Sequence, residues 1–189
     1  MKQLALVAAL AACLTTAAPA WAQKVRLATS MGDIVLQLDA EKAPKTVANF
    51  VQYVKAGHYN GTVFHRVIDG FMIQGGGMTA DMQEKPTRAP IALEASNGLS
   101  NLRGSVAMAR TMAPNSATAQ FFVNVGDNLR LDAANSSDGN GYAVFGKVID
   151  GMEVVDRIKA VPVGGKAGHQ NVPVQSVLIK QATLIGETK

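Results

Sequence analysis

Short apolar segments of strand length recur at close intervals along this chain, and this pattern constrains its fold more than any other feature. Counting the segments predicts about eight strands, and no helix regularly separates one strand from the next. Such strands must close into a barrel or cover their edges. We therefore expect a mainly β fold, a closed eight-stranded antiparallel β-barrel capped by two α-helices. The segments that fit a strand are residues 25–29, 33–38, 63–68, 71–74, 90–95, 105–109, 120–125, 142–149 and 174–185.

Two other segments have the period of amphipathic helices. Pro44 suits the first turn of a helix, and an apolar stripe with the spacing i, i+3, i+4 and i+7 runs from Val47 towards Gly57. Residues 152–160 predict a second, shorter helix. These are the two helices expected to cap the barrel.

Three segments are predicted to be irregular loops. Residues 78–89 and 164–171 are polar and contain glycine or proline, as loops do. The third, residues 126–141, is rich in Asn, Asp, Ser and Gly but carries Leu129, Arg130 and Leu131. Apolar residues within a polar loop often indicate a binding surface.

The first 22 residues are predicted to be a secretory signal peptide, which leaves residues 23–189 as one domain. Lys2 precedes an apolar run from Leu4 to Leu14, and Ala20-Trp21-Ala22 fits a cleavage site. The run is too short to span a bilayer, and no later run is long enough. The full chain has 48% hydrophobic and 17% charged residues, which suits one globular domain with a sizeable core. We expect a periplasmic protein.

Cys13 offers an alternative, because Leu10-Ala11-Ala12-Cys13 resembles a bacterial lipobox. In that case the cysteine would be lipidated and the protein anchored to a membrane. Ordinary cleavage after Ala22 would instead remove Cys13, the only cysteine of the chain.

Composition and motifs argue against several classes of function. The net charge of +4 comes from scattered Lys and Arg residues, so we expect no nucleic-acid partner. The three histidines lack the spacing of metal ligands, and we expect no metal and no cofactor. Gly75-Gly76-Gly77 is a weak phosphate-loop signal, since no Gly-Lys-Ser/Thr follows it. No nucleophile-elbow motif is present.

The segment from Val63 to Gly77 contains the most unusual residue of a predicted strand. Two apolar runs flank Asp69-Gly70, a turn signal, and Arg66 lies inside the first run. A guanidinium is costly to bury without a partner. Arg66 therefore either faces solvent without a function or points into a pocket that uses its charge.

Several blocks, in order along the chain, resemble the cyclophilins, the peptidyl-prolyl cis-trans isomerases. The likeness extends from about Val25 to about Leu184 and implies an eight-stranded barrel with two helices. It also implies a monomer that acts on Xaa-Pro bonds of proline-containing unfolded or flexible polypeptides. The matching positions are Phe64 to Gly76, Gly104 to Ala109, Ala119 to Val123, Leu131-Asp132, Tyr142 to Val148, and Pro44, Thr46, Asn49 and Phe50 in the first helix.

The resemblance also implies the roles of individual residues. Arg66 would donate to the prolyl nitrogen in the twisted state, Gln74 would orient Arg66 and the substrate carbonyl, and Phe71 would contact the proline ring. The remaining positions would bind substrate along the pocket and groove: Met72, Ala109, Arg110, Gln120, Phe122, Leu131 and Tyr142.

Four positions depart from common family members. Arg130 stands where many have a tryptophan that helps to bind cyclosporin, so we expect weak binding of that drug. Tyr142 replaces a usual histidine, Arg110 a common asparagine and Asp69 a usual proline. Bacterial periplasmic members share several of these changes.

Two other hypotheses are a peptide-binding chaperone module with little turnover and a non-enzymatic barrel that holds a small apolar ligand.

Overall fold

Within residues 23–186, which the computed structural model describes, eight strands close into an antiparallel barrel. The elements are β1 (Lys24–Thr29), β2 (Gly32–Leu38), α1 (Pro44–Lys55), β3 (Thr62–Ile68), β4 (Met72–Thr79), β5 (Ser105–Met108), β6 (Phe121–Asn124), β7 (Val144–Asp150), α2 (Met152–Lys159), β8 (Val163–Lys166), β9 (His169–Pro173) and β10 (Leu178–Ile185). The order around the barrel is β1-β10-β3-β4-β6-β5-β7-β2, and β8 and β9 form a separate two-stranded sheet.

The predicted barrel with two helices is thus confirmed, including the helix that begins at Pro44. The predicted signal peptide and Cys13 lie outside the described residues, so the boundary after residue 22 stays a prediction.

Two of the predicted segments were wrong. Residues 90–95 form no strand, and only an isolated bridge joins Ile91 to Ala117. Pro90 has no amide hydrogen to donate, and the Leu93 amide donates to the Asn115 side chain at 2.9 Å instead of to a neighbouring strand.

The second error is the loop predicted over residues 164–171, which is the hairpin of β8 and β9. Ala167 and Gly168 occupy its turn with φ of +48° and +82°. A two-residue turn with positive φ at both positions matches the twist of paired strands. The glycines of β8 concealed this strand, because glycine is depleted in strands.

The barrel interior is a cluster of aromatic and branched side chains. The Phe121 ring lies edge-on to Phe50 and Tyr59, with centroids 5.5 Å apart in each case. Gly76 lets the wall approach these rings, because a Cβ there would lie 2.9 Å from both Phe121 and Tyr59. Its φ of +86° also favours glycine.

Alternation along β3, β4 and β6 separates this interior from the outer face. Phe64, Ile73 and Phe121 point inward and are fully buried. Where the register shifts between Phe64 and Arg66, β3 contains one extra residue, His65. After this bulge, Arg66 pairs with Gln74 across β3 and β4 on the outer face.

Candidate active site

A chain of three polar side chains crosses the outer face. The Arg66 Nη1 donates to Gln74 Oε1 at 3.3 Å, and the Gln74 Nε2 donates to Gln120 Oε1 at 2.9 Å. All three residues are half-buried. Within residues 23–186 no carboxylate pairs with Arg66. The amides therefore orient the guanidinium without neutralising its charge.

An apolar cluster lies beside this chain, and we call it the outer apolar cluster. Its buried members include Met72, Phe122 and Val144, and half-exposed hydrophobic side chains pack around them. Phe122 is the register partner of Gln74, so the cluster begins next to the polar chain. The half-exposed members are Ile68, Phe71, Leu99, Ala109, Leu131 and Tyr142.

Aromatic contacts shape two sides of the outer apolar cluster. Phe122 and Tyr142 meet edge-on with centroids 5.7 Å apart. On another side, the Arg130 guanidinium lies 4.6 Å from the centroid of the Phe71 ring. This cation–π contact holds an exposed cation at the rim of the cluster.

The Arg110 side chain is only 2% exposed, and its donors are used within the protein. Its Nε donates to the Gly141 carbonyl at 2.8 Å, and its Nη2 forms an ion pair with Asp138. This guanidinium holds the pKa of the Asp138 carboxyl well below its usual range. Arg110 also lies 4.7 Å from the Tyr142 ring centroid and packs against that ring. Because its side chain is almost fully buried and hydrogen-bonded within the protein, Arg110 is not directed at a substrate.

A buried network of asparagines fixes the loop that carries Leu131. The Asn128 Nδ2 donates to the Phe71 carbonyl and to Asn124 Oδ1, both at 2.8 Å. The Asn124 Nδ2 in turn donates to Asn101 Oδ1 at 3.2 Å. These satisfied buried amides tie the loop to β4 and β6, and thereby position Phe71 and Leu131.

The structure brings the sequence-predicted residues together on one face. Arg66, Gln74 and Gln120 form the polar chain, while Met72, Phe71, Phe122, Leu131, Tyr142 and Ala109 form the adjacent cluster. The Ala109 amide donates to the Gln120 carbonyl at 2.9 Å, which joins the two parts. The exception is the side chain of Arg110, which is turned into the protein.

Sequence reasoning missed two features of this face. His65 is 5% exposed, its Nδ1 has no hydrogen-bond partner, and burial lowers its pKa to about 4. The hairpin of β8 and β9 contributes residues 168–171 to a cavity beside Arg66. A bulge leaves no clear sequence signal, and the hairpin resembled a glycine-rich loop.

Residues 23–186 contain neither a metal-ligand cluster nor a membrane-spanning helix. No group of His, Cys, Asp and Glu there could hold a metal ion. None of the helices in that range is long and apolar enough to cross a membrane.

Comparison with protein families gives a match to the model described as cyclophilin type peptidyl-prolyl cis-trans isomerase/CLD over residues 24–184. The chain belongs to this family. It is 59% identical over 163 residues to the peptidyl-prolyl cis-trans isomerase cyp18 of Streptomyces antibioticus, covering 86% of this chain and 98% of that protein. It is 55% identical over 157 residues to peptidyl-prolyl cis-trans isomerase B of Escherichia coli, covering 82% and 96%.

Solved structures agree with the cyclophilin assignment. A crystal structure of a cyclophilin type peptidyl-prolyl cis-trans isomerase from Cryptosporidium parvum matches with a TM-score of 0.72 and 27% identity, covering 89% of this chain and all of that one. The predictions of a cyclophilin fold and of peptidyl-prolyl cis-trans isomerase activity are therefore confirmed.

Proposed function

We propose that the outer face of β3, β4 and β6 is where this cyclophilin catalyses exchange of Xaa-Pro bonds, with Arg66 as the catalytic residue. The observation that carries the proposal is a guanidinium with no carboxylate partner among residues 23–186, oriented by Gln74 beside the outer apolar cluster. The outer apolar cluster can hold an apolar ring while the guanidinium acts on the adjacent amide.

The chemistry requires only that the twisted amide be favoured over the planar one. Resonance creates a barrier of about 18–20 kcal/mol to rotation of a peptide bond. At the twisted state the prolyl nitrogen becomes pyramidal and gains a lone pair. A donor that reaches this nitrogen stabilises the transition state more than the ground state, and only such differential binding accelerates the reaction.

Each part of the site has a role in this proposal. Met72, Phe122 and Leu131 enclose the proline ring, with Phe71 and Tyr142 at the edges. Arg66 donates to the prolyl nitrogen, and Gln74 keeps the guanidinium in place. Gln120 fixes the far side of Gln74, so that its amide cannot rotate away from Arg66. No step needs a cofactor.

We further propose that the substrates are proline-containing polypeptides exported with the enzyme to the periplasm, where it assists their folding. Residues 1–22 support this with Lys2, the apolar run and the Ala20-Trp21-Ala22 site. The alternative is a membrane-anchored lipoprotein, lipidated at Cys13. The proposal includes a monomeric enzyme and, because Arg130 replaces a common tryptophan, weak cyclosporin binding.

The test is exchange spectroscopy of a short Xaa-Pro peptide with the native chain, Arg66→Ala and Arg88→Ala. Arg88 is a matched control, since its Nη1 also donates to a glutamine, Gln52, at 3.0 Å but lies away from the site. We expect Arg66→Ala to lose about a hundredfold or more in kcat/KM and Arg88→Ala to keep it. Equal activity of Arg66→Ala and the native chain would show that Arg66 is not the catalytic residue. Peptide binding without exchange would favour the chaperone module.

A further inference from the structure

A polar cavity of about 480 Å³ adjoins the candidate active site. It shares Arg66, Gln74 and Gln120 with that site, but none of the side chains of the outer apolar cluster lines it. The cavity therefore lies on the other side of the polar chain from the proposed proline pocket. A polypeptide that crosses Arg66 from the pocket would enter it.

The hairpin of β8 and β9 closes this cavity. Its turn and the start of β9 supply Gly168, His169 and Gln170 to the lining. The hairpin also contacts the segment after β4, where the Lys166 Nζ donates to the Ala80 carbonyl at 2.8 Å. Neither β8 nor β9 belongs to the barrel, and holding one wall of this cavity gives the hairpin a function.

The charge of this cavity has one sign. None of its lining residues is an Asp or Glu, whereas Arg66 is cationic. The chain contains no acidic residue between Asp156 and Glu187, a stretch that includes the hairpin. The neighbouring Asp81, next to Ala80, does not line the cavity.

The other lining groups are suited to a hydrogen-bonding ligand. Gln170 and Asn171 of the hairpin and Gln120 of the barrel line the cavity, and each has a side-chain amide. The buried His65 ring lies against the wall with its Nδ1 unpartnered. Because burial lowers the pKa of His65 to about 4, that ring is neutral at neutral pH. The positive charge of the cavity therefore comes from Arg66.

We infer that this cavity is a subsite for an acidic side chain of the substrate, a glutamate or aspartate within about three residues of the proline. An extended chain spans at most about 10 Å over three residues, which suits a cavity that begins at Arg66 itself. The carboxylate would accept hydrogen bonds from His169 and the amides of the hairpin. This inference rests on the proposed function, because it takes the proline to lie in the outer apolar cluster.

The test is a scan of one peptide in which Glu, Gln or Lys occupies each of three positions before and after the proline. Exchange rates and calorimetric affinities are measured for the native chain, His169→Glu, Arg130→Gln and Gln181→Glu. Gln181 is an exposed residue of β10, so Gln181→Glu makes the same change in net charge away from the cavity. Arg130→Gln removes the exposed cation at the rim of the outer apolar cluster.

At one position of the scan, the native chain should bind Glu about threefold more tightly than Gln, as expected for a solvent-accessible charge pair. His169→Glu should reverse this into a preference for Lys, while Arg130→Gln and Gln181→Glu should keep it. Equal affinity for Glu, Gln and Lys at every position would overturn the subsite. A preference that is lost in Arg130→Gln but kept in His169→Glu would overturn it as well.

The same measurements separate this inference from the proposed function. If no peptide exchanges but the Glu preference appears in binding, the subsite stands and the catalytic proposal fails. If peptides exchange without any preference, the catalytic proposal stands and the subsite fails.

Discussion

The inner and outer faces of β3, β4 and β6 are built from alternate residues of the same strands, yet they differ in chemistry. The inner face is apolar and closed, with Phe64, Ile73 and Phe121 fully buried. The outer face carries Arg66 and Gln74 next to a small, partly open cluster. The inner face therefore accounts for the fold, while the outer face leaves charge and apolar surface available to a ligand.

Substitution of two adjacent phenylalanines on β6 should separate the roles of the two faces most clearly. Phe121→Ala should lower the free energy of unfolding by about 3–5 kcal/mol, since the ring contacts Phe50 and Tyr59 in the closed core. Phe122→Ala should cost less stability but lose most exchange activity, because its cluster is small and partly open. Urea unfolding followed by circular dichroism, together with exchange rates, measures both. If Phe122→Ala destabilised the protein more than Phe121→Ala, this would contradict the assignment of stability to the inner face and activity to the outer face.

His65, on the bulge between the two faces, predicts a pH dependence of stability. Its pKa is lowered to about 4 by burial, so the folded state binds this proton less tightly than the unfolded chain, whose pKa is near 6.5. Stability is then complete above about pH 6.5 and falls as the pH drops towards 4, by at most about 3 kcal/mol.

Unfolding in urea between pH 7 and pH 4 checks this expectation for the native chain and His65→Gln. His65→Gln should make the free energy of unfolding less dependent on pH over this range than it is in the native chain. His169→Gln is the control, because it removes an exposed neighbouring histidine while His65 stays buried, and it should keep most of the slope. An identical slope in His65→Gln and the native chain would show that other groups cause it.

Substitutions in the polar chain of the outer face should reduce activity without unfolding the protein. Gln74→Ala should lower kcat/KM about tenfold, because it removes the acceptor that orients Arg66. Gln120→Ala should have a smaller effect, since it acts through Gln74. The matched control is Gln52→Ala, which removes the partner of Arg88. If Gln52→Ala reduced exchange as much as Gln74→Ala, the orienting role would be wrong.

The smallest expected effect concerns the rim of the outer face. Arg130→Ala removes the cation that lies 4.6 Å from the Phe71 ring centroid. An exposed cation–π contact is worth about 0.5–1 kcal/mol, so the KM for a short peptide should change by no more than about fivefold. Steady-state exchange kinetics measure this change. A change in kcat of a hundredfold would give Arg130 a catalytic role.

The barrel was predictable from sequence because strand alternation has a period of two and the interior fills every second position. The adjacency of the strands that carry Arg66 and Gln74 was also predictable, since Asp69-Gly70 is a turn signal between them. The roles of the two residues came from the family resemblance. The error at residues 90–95 shows the limit of this pattern: the segment is apolar enough for a strand, but Pro90 cannot donate to a ladder.

The parts of the site that could not be predicted depend on contacts distant in sequence. Arg110 was expected to hold substrate, but its partner Asp138 lies 28 residues later in an irregular loop, where periodicity gives no information. The hairpin that brings His169 beside Arg66 was hidden by its glycines. Its position also depends on Lys166 reaching the Ala80 carbonyl, 86 residues away.

Neighbouring residues of β3 give the most direct test of the division between the two faces. Arg66→Ala and Val67→Ala change one outer and one fully buried inner side chain, and both exchange and urea unfolding are measured for each. The account predicts that Arg66→Ala loses about a hundredfold in kcat/KM while keeping its unfolding midpoint. Val67→Ala should keep exchange per folded molecule and lose about 1–3 kcal/mol of stability. Retention of most exchange by Arg66→Ala would contradict the central claim.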